Sequence, residues 1–311
     1  MTAAPALAAV RPPRRRRATP AKRRQWIAAY VLIIPFLVVF IAMLVVPLVY
    51  SGWLSLFTSQ LIGGQQFAGL TNYVNAVTDP KFLSSVGRMG LFLLVQVPIM
   101  LALALFFALA LDSNRVRGKR FIRLAIFVPY AVPSVVATLM WGYLYGKDFG
   151  PISQFFQAIG LGTPDLLSNQ TIFGSLVNIV TWEFVGYNMI ILYAALRTIP
   201  AELLDAAEVD GAGAWRTAWS VKIPAIRPAI LLTVIFSIIG SFQLFNEPNL
   251  LHGVAPNVIG TSYTPNLYAF NVAFVNQDVN YAASLAFILG IVIMIVSYVV
   301  QLSTNRAERN R

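Results

Sequence analysis

The chain has 311 residues, 58% of them hydrophobic and 11% charged, with no cysteine and a single histidine, His252. Soluble globular chains are about 25% charged, so an ordinary soluble domain is excluded, as is disorder over the bulk of the chain. Without cysteine there is no disulfide scaffold, thiolate metal site or thiol nucleophile, and one histidine excludes multi-His metal centres.

The first element in chain order is a basic tail. Residues 1–25 hold eight of the 23 Lys/Arg and no acid, so most of the formal +11 belongs to them. The tail is expected to be disordered, to set topology and to touch anionic headgroups. It has no interleaved aromatics for stacking, which argues against a nucleic-acid partner.

Six apolar runs follow at about 26–50, 89–111, 124–146, 171–196, 228–247 and 281–302. Each is close to the roughly 20 residues that a spanning helix needs. Six such runs leave too little polar surface to cover a soluble core, so residues 26–305 are expected to form one six-helix membrane domain. The first run contains Pro35 and Pro47 and no A-x-A site, and it is longer than a signal-peptide core of about 7–15 residues. It is therefore expected to be a span and not a cleaved signal.

Sidedness follows from the bases. The two tails (1–25 and 306–311), the 112–123 connection and the 197–227 loop together carry twenty Lys/Arg. The opposite side carries Lys81, Arg88 and Lys147 only. Basic loops stay in the cytoplasm, which places both termini there, and an even number of spans requires the same arrangement. The external segments, rich in Gly, Pro, Asn and aromatics, are expected to be ordered loops with short interfacial helices. Trp26, Tyr50, Trp53, Trp141, Tyr143 and Tyr281 near span ends suit interfacial anchoring.

The 197–227 loop is unusual. It holds four of the twelve acids, Glu202, Asp205, Glu208 and Asp210, and many small residues. Pro200 and the early acids predict a short helix over Ala201–Val209, ended by Asp210-Gly211. A second helical stretch is expected from Ala214 to Val221, stopped by Pro224.

This loop resembles the EAA loop, E-A-A-x3-G-x9-I-x-L-P, of permease subunits in binding-protein-dependent ABC importers. The matching residues are Asp205-Ala206-Ala207, then Gly211, then Val221-Lys222-Ile223-Pro224, with Asp in place of Glu and the family's spacing kept throughout. Ile199 to Leu203, Arg227-Pro228, Val128-Pro129-Tyr130 and Ser241 to Asn246 are similar to the family's carbohydrate-uptake branch.

The resemblance implies an all-α membrane protein with the type I (MetI-like) importer permease fold, in a bacterial cytoplasmic membrane. It further implies a second homologous permease subunit, a cytoplasmic ATPase dimer, an extracytoplasmic sugar-binding protein, and a sugar substrate, with a lean toward di- or oligosaccharides. Asp205, Ala206, Ala207, Gly211, Val221, Ile223 and Pro224 would form the ATPase-coupling loop. In such recognition a short helix lies in a partner's groove, small residues permit close approach and the acid pairs a base there. ATP and Mg would be used by the ATPase, leaving this subunit with no cofactor, no metal and no catalytic residue.

A sugar path through the bundle needs hydrogen-bonding groups and aromatic faces. Glu183, in mid-span, should face protein or water and not lipid. Tyr187 lies one turn on, and Gln243, Asn246 and Glu247 cluster at the end of the fifth run. These five are the candidate path residues; the same side chains equally suit adhesion between helices.

Two rival motifs fail on context. Leu61-Ile62-Gly63-Gly64-Gln65 is near the ABC ATPase signature, but the chain has no phosphate loop. Asp210-Gly211 with Arg216 departs from the membrane phosphotransferase spacing, and the next acid is Glu247. An ion-coupled secondary transporter or channel using Glu183 stays open as an alternative, although the two halves show no internal repeat.

Overall fold

The computed structural model describes residues 20–60, 64–113 and 116–309, without the side chains of 20–23, 25, 60 and 305–309. The expected tail up to residue 19, residues 61–63, Arg115 and the last two residues lie outside that description. The chain divides into two units with the boundary after Ser51.

The first unit consists of α1 (Pro20–Phe40), a π turn at Ile41–Val45, and the beginning of α2 (Val46–Leu54). The π turn stands just before Pro47, which has no N–H to continue the regular ladder. The Val46 N–H instead reaches back to the Ile41 carbonyl.

In the second unit the antiparallel hairpin β1 (Phe57–Gln60) and β2 (Gly64–Phe67) pairs Phe57 with Phe67. Next come α3 (Thr71–Thr78), α4 (Pro80–Asp112), α5 (Lys119–Ala131), α6 (Ser134–Leu144), α7 (Pro151–Ala158) and α8 (Ile172–Leu196). The remaining elements are α9 (Ala201–Val209), α10 (Ala214–Thr217), α11 (Ile223–Ala225), α12 (Arg227–Phe242), α13 (Asn246–Val254), α14 (Pro265–Phe270) and α15 (Val279–Arg309).

Among the described residues five helical stretches are long and apolar enough to cross a membrane: Trp26–Leu54, Pro80–Asp112, Ile172–Leu196, Arg227–Val254 and Val279–Thr304. The pair α5 and α6 makes a sixth when counted as one broken span. The run 124–146, expected as one span, is thus two helices meeting at 96°. Pro133 cannot donate a backbone hydrogen bond and drives Val132 into an extended conformation, φ −74° and ψ 128°. The run 228–247 is also interrupted, at Gln243-Leu244-Phe245 between α12 and α13.

Local polar contacts fix the ends of these elements. The Asn72 amide donates to the carbonyls of Ser55 and Phe57, and the Asn280 amide to that of Leu54. The Asn72 bonds tie the hairpin to α3, the Leu54 bond ties the end of α2 to the start of α15, and the Ser59 hydroxyl, donating to Asn280 Oδ1 at 2.8 Å, joins the hairpin to α15. Asp79 caps α4 by accepting from the Lys81 N–H at 2.8 Å. Arg88 donates to the Tyr263 carbonyl at 2.7 Å and lies over its ring at 4.5 Å, joining α4 to the segment before α14.

The most extensive helix pairing is α4 on α8, followed by α5 on α8. The buried core falls into two clusters. The larger gathers Phe82, Phe92, Leu176, Ile179, Ile238, Leu251 and Leu285. The smaller, nearer the 197–227 loop, gathers Ala104, Ala108, Leu111, Met189, Leu192, Leu196 and Ile226. Between them along α4 and α8 stand the buried polar side chains Gln96, Glu183 and Asn188. Apolar side chains such as Leu94, Phe106, Leu139, Met294 and Tyr298 are exposed on the helix exteriors, as a hydrocarbon solvent permits.

Candidate functional site

The loop and the interior carry separate parts of the candidate site. In the loop, α9 ends as the small-residue sequence demands. The Ala212 N–H bonds the Ala207 carbonyl and the Gly211 N–H bonds the Glu208 carbonyl, both at 2.9 Å. This is a Schellman ending, with Gly211 at φ +74° supplying the left-handed residue. Of α9, only Ala207 is buried, so Asp205 and Ala206 are displayed to solvent.

The second limb departs from expectation. Pro224 does not stop the helix at Val221. A π turn over Ala218–Lys222 leads directly into α11, and the chain breaks from helix only at Ile226, φ −97° and ψ 12°. The wider turn rearranges the backbone bonding ahead of Pro224, so its missing N–H is accommodated near the start of a new helical turn. Val221, Ile223 and Pro224 are half-buried, whereas Trp215 and Trp219 are exposed and pack edge to face. Lys222 and Arg197 both pair with Asp112, at the end of α4. No sequence motif marked Asp112, because its partner Lys222 lies 110 residues away.

The interior feature is a cavity of about 370 Å³ between α4, α8, α12 and the start of α13. Four of the five candidate path residues line it: Tyr187, Gln243, Asn246 and Glu247. Glu183 does not. Its side chain is buried beside the carboxyl of Glu247, and no other hydrogen-bond partner reaches its oxygens among the described residues. The Asn246 amide donates to the Ser134 hydroxyl at 2.9 Å, joining the α12–α13 break to the α5–α6 bend. Both interruptions of apolar runs therefore meet at one cavity wall.

Sequence reasoning missed Gln96, Met100, Ser134 and Asn188, which also line this space. Gln96 was visible as the one amide in the second run, and Asn188 as the residue after Tyr187. Both are incompletely paired among the described residues: the Gln96 amide donates to the Met100 sulfur at 3.3 Å, and Asn188 donates to the Phe184 carbonyl at 3.0 Å but leaves its own carbonyl oxygen buried without a donor. Phe184, Phe236 and Phe245 add aromatic surface. Polar capacity of this kind, with apolar faces alongside, suits an occupant that brings its own hydroxyls.

A bundle of spanning helices with a polar cavity inside and a displayed loop helix defines a membrane transport subunit. Residues 100–310 match the model of the binding-protein-dependent transport system inner membrane component, and the chain belongs to that family. It is a membrane permease of the ABC importer class, an inner-membrane protein.

Among curated relatives, the lactose transport system permease protein LacF of Rhizobium radiobacter is 29% identical over 282 residues, 89% of this chain and 94% of the relative. The arabinooligosaccharides transport system permease protein AraP of Bacillus subtilis is 27% identical, covering 88% and 87%. The trehalose/maltose transport system permease protein MalF of Thermococcus litoralis is 26% identical, covering 93% and 97%. The fold is shared with a bacterial ABC transporter that imports the acidic polysaccharide alginate, with a TM-score of 0.80 at 17% identity over 91% of this chain and 96% of that one.

Proposed function

We propose that this chain is one of two homologous membrane subunits of an ATP-driven sugar importer, and that it forms half of the path for a di- or oligosaccharide. The observation that carries the reading is the cavity, where the amides of Gln96, Asn188, Gln243 and Asn246 face the same space as Phe184, Tyr187, Phe236 and Phe245. A sugar ring has hydroxyl edges for the amides and C–H faces for the aromatics. The described lining contains Glu247 and no Lys or Arg, which favours an uncharged sugar over an anionic one. The relatives named for lactose, arabinooligosaccharides and trehalose/maltose support the sugar class. A related transporter structure holds a periplasmic protein with an alginate pentasaccharide, which supports delivery by an extracytoplasmic binding protein.

In this reading α9 docks in a groove of a cytoplasmic ATPase dimer. Asp205 pairs a base there, Ala206 and Ala207 allow close approach, and Gly211 turns the chain away. The ATPase uses ATP and Mg, while this chain hydrolyses nothing and holds no cofactor. Both termini lie in the cytoplasm, in keeping with the twenty-to-three division of Lys/Arg. Closure of the ATPases moves the loop and rocks the spans between inward- and outward-open states.

Co-purification with an ATPase and vanadate-sensitive uptake are the expected results. Charge reversal at Asp205 should abolish uptake with membrane insertion intact. Uptake that collapses with an uncoupler while ATP is held constant would overturn the reading.

A further inference from the structure

We propose that the ion pair between Asp112 and Lys222 is the mechanical link through which movement of the 197–227 loop reaches the cavity. The inference rests on reading that loop as the ATPase-docking element. Asp112 is then a positioning residue for transport, far from the solute.

Asp112 is the last residue of α4, and its side chain is 7% exposed. The Lys222 ammonium, 17% exposed, donates to its Oδ2, and Arg197 Nη1 lies 3.7 Å from its Oδ1. Three elements therefore converge on one carboxylate: α4, the C-terminal residue after α8, and the π turn of the loop. A carboxylate here opposes the α4 dipole, whose negative end it occupies. Helix stability does not account for it, and a local rule broken in this way points to a functional demand. Lys222 also sits in a π turn, a geometry frequent at functional sites.

The two limbs of the loop are held differently. α9 presents Asp205 and Ala206 to solvent and buries only Ala207. The second limb is clamped by a nearly buried ion pair, whose separation would leave an uncompensated charge. A push on α9 therefore passes through the Gly211 turn to Lys222 and on to Asp112. From Asp112, α4 runs twelve to sixteen residues to Met100 and Gln96 at the cavity, about 18–24 Å at 1.5 Å per residue. Arg197 gives α8, which carries Tyr187 and Asn188, a grip on the same point.

The chain has no cysteine, so Ser237→Cys at the cavity wall provides a single labelling site on this subunit, read from its own band after the subunits are separated. The complex purified with its ATPase is treated with a maleimide with and without ATP. The parent variant should change labelling rate on ATP binding. Adding Asp112→Asn should reduce that change roughly tenfold while ATPase co-purification and ATP hydrolysis persist, and Asp112→Glu should restore most of it. Lys222→Gln, which leaves Asp112 paired with Arg197, provides a second variant where Asp112→Asn fails to insert, and the same loss is expected. A full ATP response in either variant overturns the link alone. Failure of any ATPase to co-purify with the parent overturns the docking reading and the link with it.

Discussion

A Cβ placed on Gly186 would stand 2.1 Å from the carbonyl oxygen of Ile126 and 2.8 Å from the Phe127 Cα. The absence of a side chain at this one position lets α5 lie against α8, the small-residue solution common between membrane helices. The obstacle is backbone, so it cannot swing aside. Gly186→Ala should lower stability by about 3 kcal/mol, the upper part of the range for overpacking. Thermal unfolding of the detergent-purified protein checks this; an unchanged midpoint would show that the contact can relax freely.

Asp79 joins three elements, because its Oδ2 accepts from Tyr268 at 2.6 Å on α14 and from Tyr281 at 3.0 Å on α15 while its Oδ1 caps α4. Burial pushes its pKa up, but the hydrogen bonds from Tyr268, the Lys81 N–H, Tyr281 and the Phe82 N–H outweigh that and hold it below the ordinary 3.8. Burial and the Asp79 carboxylate push the Tyr268 phenol up. A depressed carboxyl pKa contributes stability that is present above about 3.8 and fades as pH falls through the folded-state value. Tyr268→Phe should therefore cost about 1.5 kcal/mol near neutral pH, with the difference shrinking below pH 3.8. Denaturation curves over a pH series measure it, and a gap that stays constant into acid would refute the assignment.

Gly211 meets nothing within 4 Å of a built Cβ, so its need is conformational and not steric. At φ +74° a β-branched residue is strained, by about 1–2 kcal/mol, whereas Asn tolerates the left-handed region well. Gly211→Val should fray α9 and weaken ATPase co-purification, and Gly211→Asn should keep both. Amide exchange along Ala201–Val209 reads the fraying directly. Equal exchange in the two variants would remove the backbone explanation.

Glu183 is 4% exposed, and the carboxyl of Glu247 is the one polar side chain that answers it among the described residues. A buried polar group left largely unsatisfied costs roughly 1–3 kcal/mol, and two adjacent carboxyls satisfy each other poorly, so replacing Glu183 by a similar-sized apolar residue should not destabilise the fold. Glu183→Leu is expected to match or exceed the parent in thermal stability and to lose uptake. Normal uptake with unchanged affinity in this variant would end any role for Glu183 in the solute path.

How much of this was legible from the sequence depends on range. The apolar runs, the α9 helix and its glycine stop are set by residues within a turn or two of one another, and hydropathy, Pro200 and Gly211 announce them. The bend at Val132-Pro133 was only half visible. A proline in a membrane helix can be tolerated or can break it, and neighbouring packing decides which. Gln243, Asn246 and Glu247 could be grouped by spacing, but spacing does not tell which side of α8 faces the cavity. Glu183 and Tyr187 share a helix face by count, yet Tyr187 lines the cavity and Glu183 is packed beside it. The pairing of Asp112 with Lys222 was illegible because a lone acid at a helix end has no signature of a partner 110 residues distant.

The separation of the buried interior into two apolar clusters has a mechanical consequence. Each cluster is a dry block that resists deformation, but the seam between them is made of Gln96, Glu183, Asn188 and the cavity. Shear along such a seam exchanges polar contacts and solvent and does not tear apolar packing apart. Because α4, α8 and α12 run unbroken through both clusters, a displacement of the Ala104–Leu111 and Leu192–Leu196 segments is carried along those helices into the seam. The least tightly packed layer of the interior is thus the one that holds its cavity.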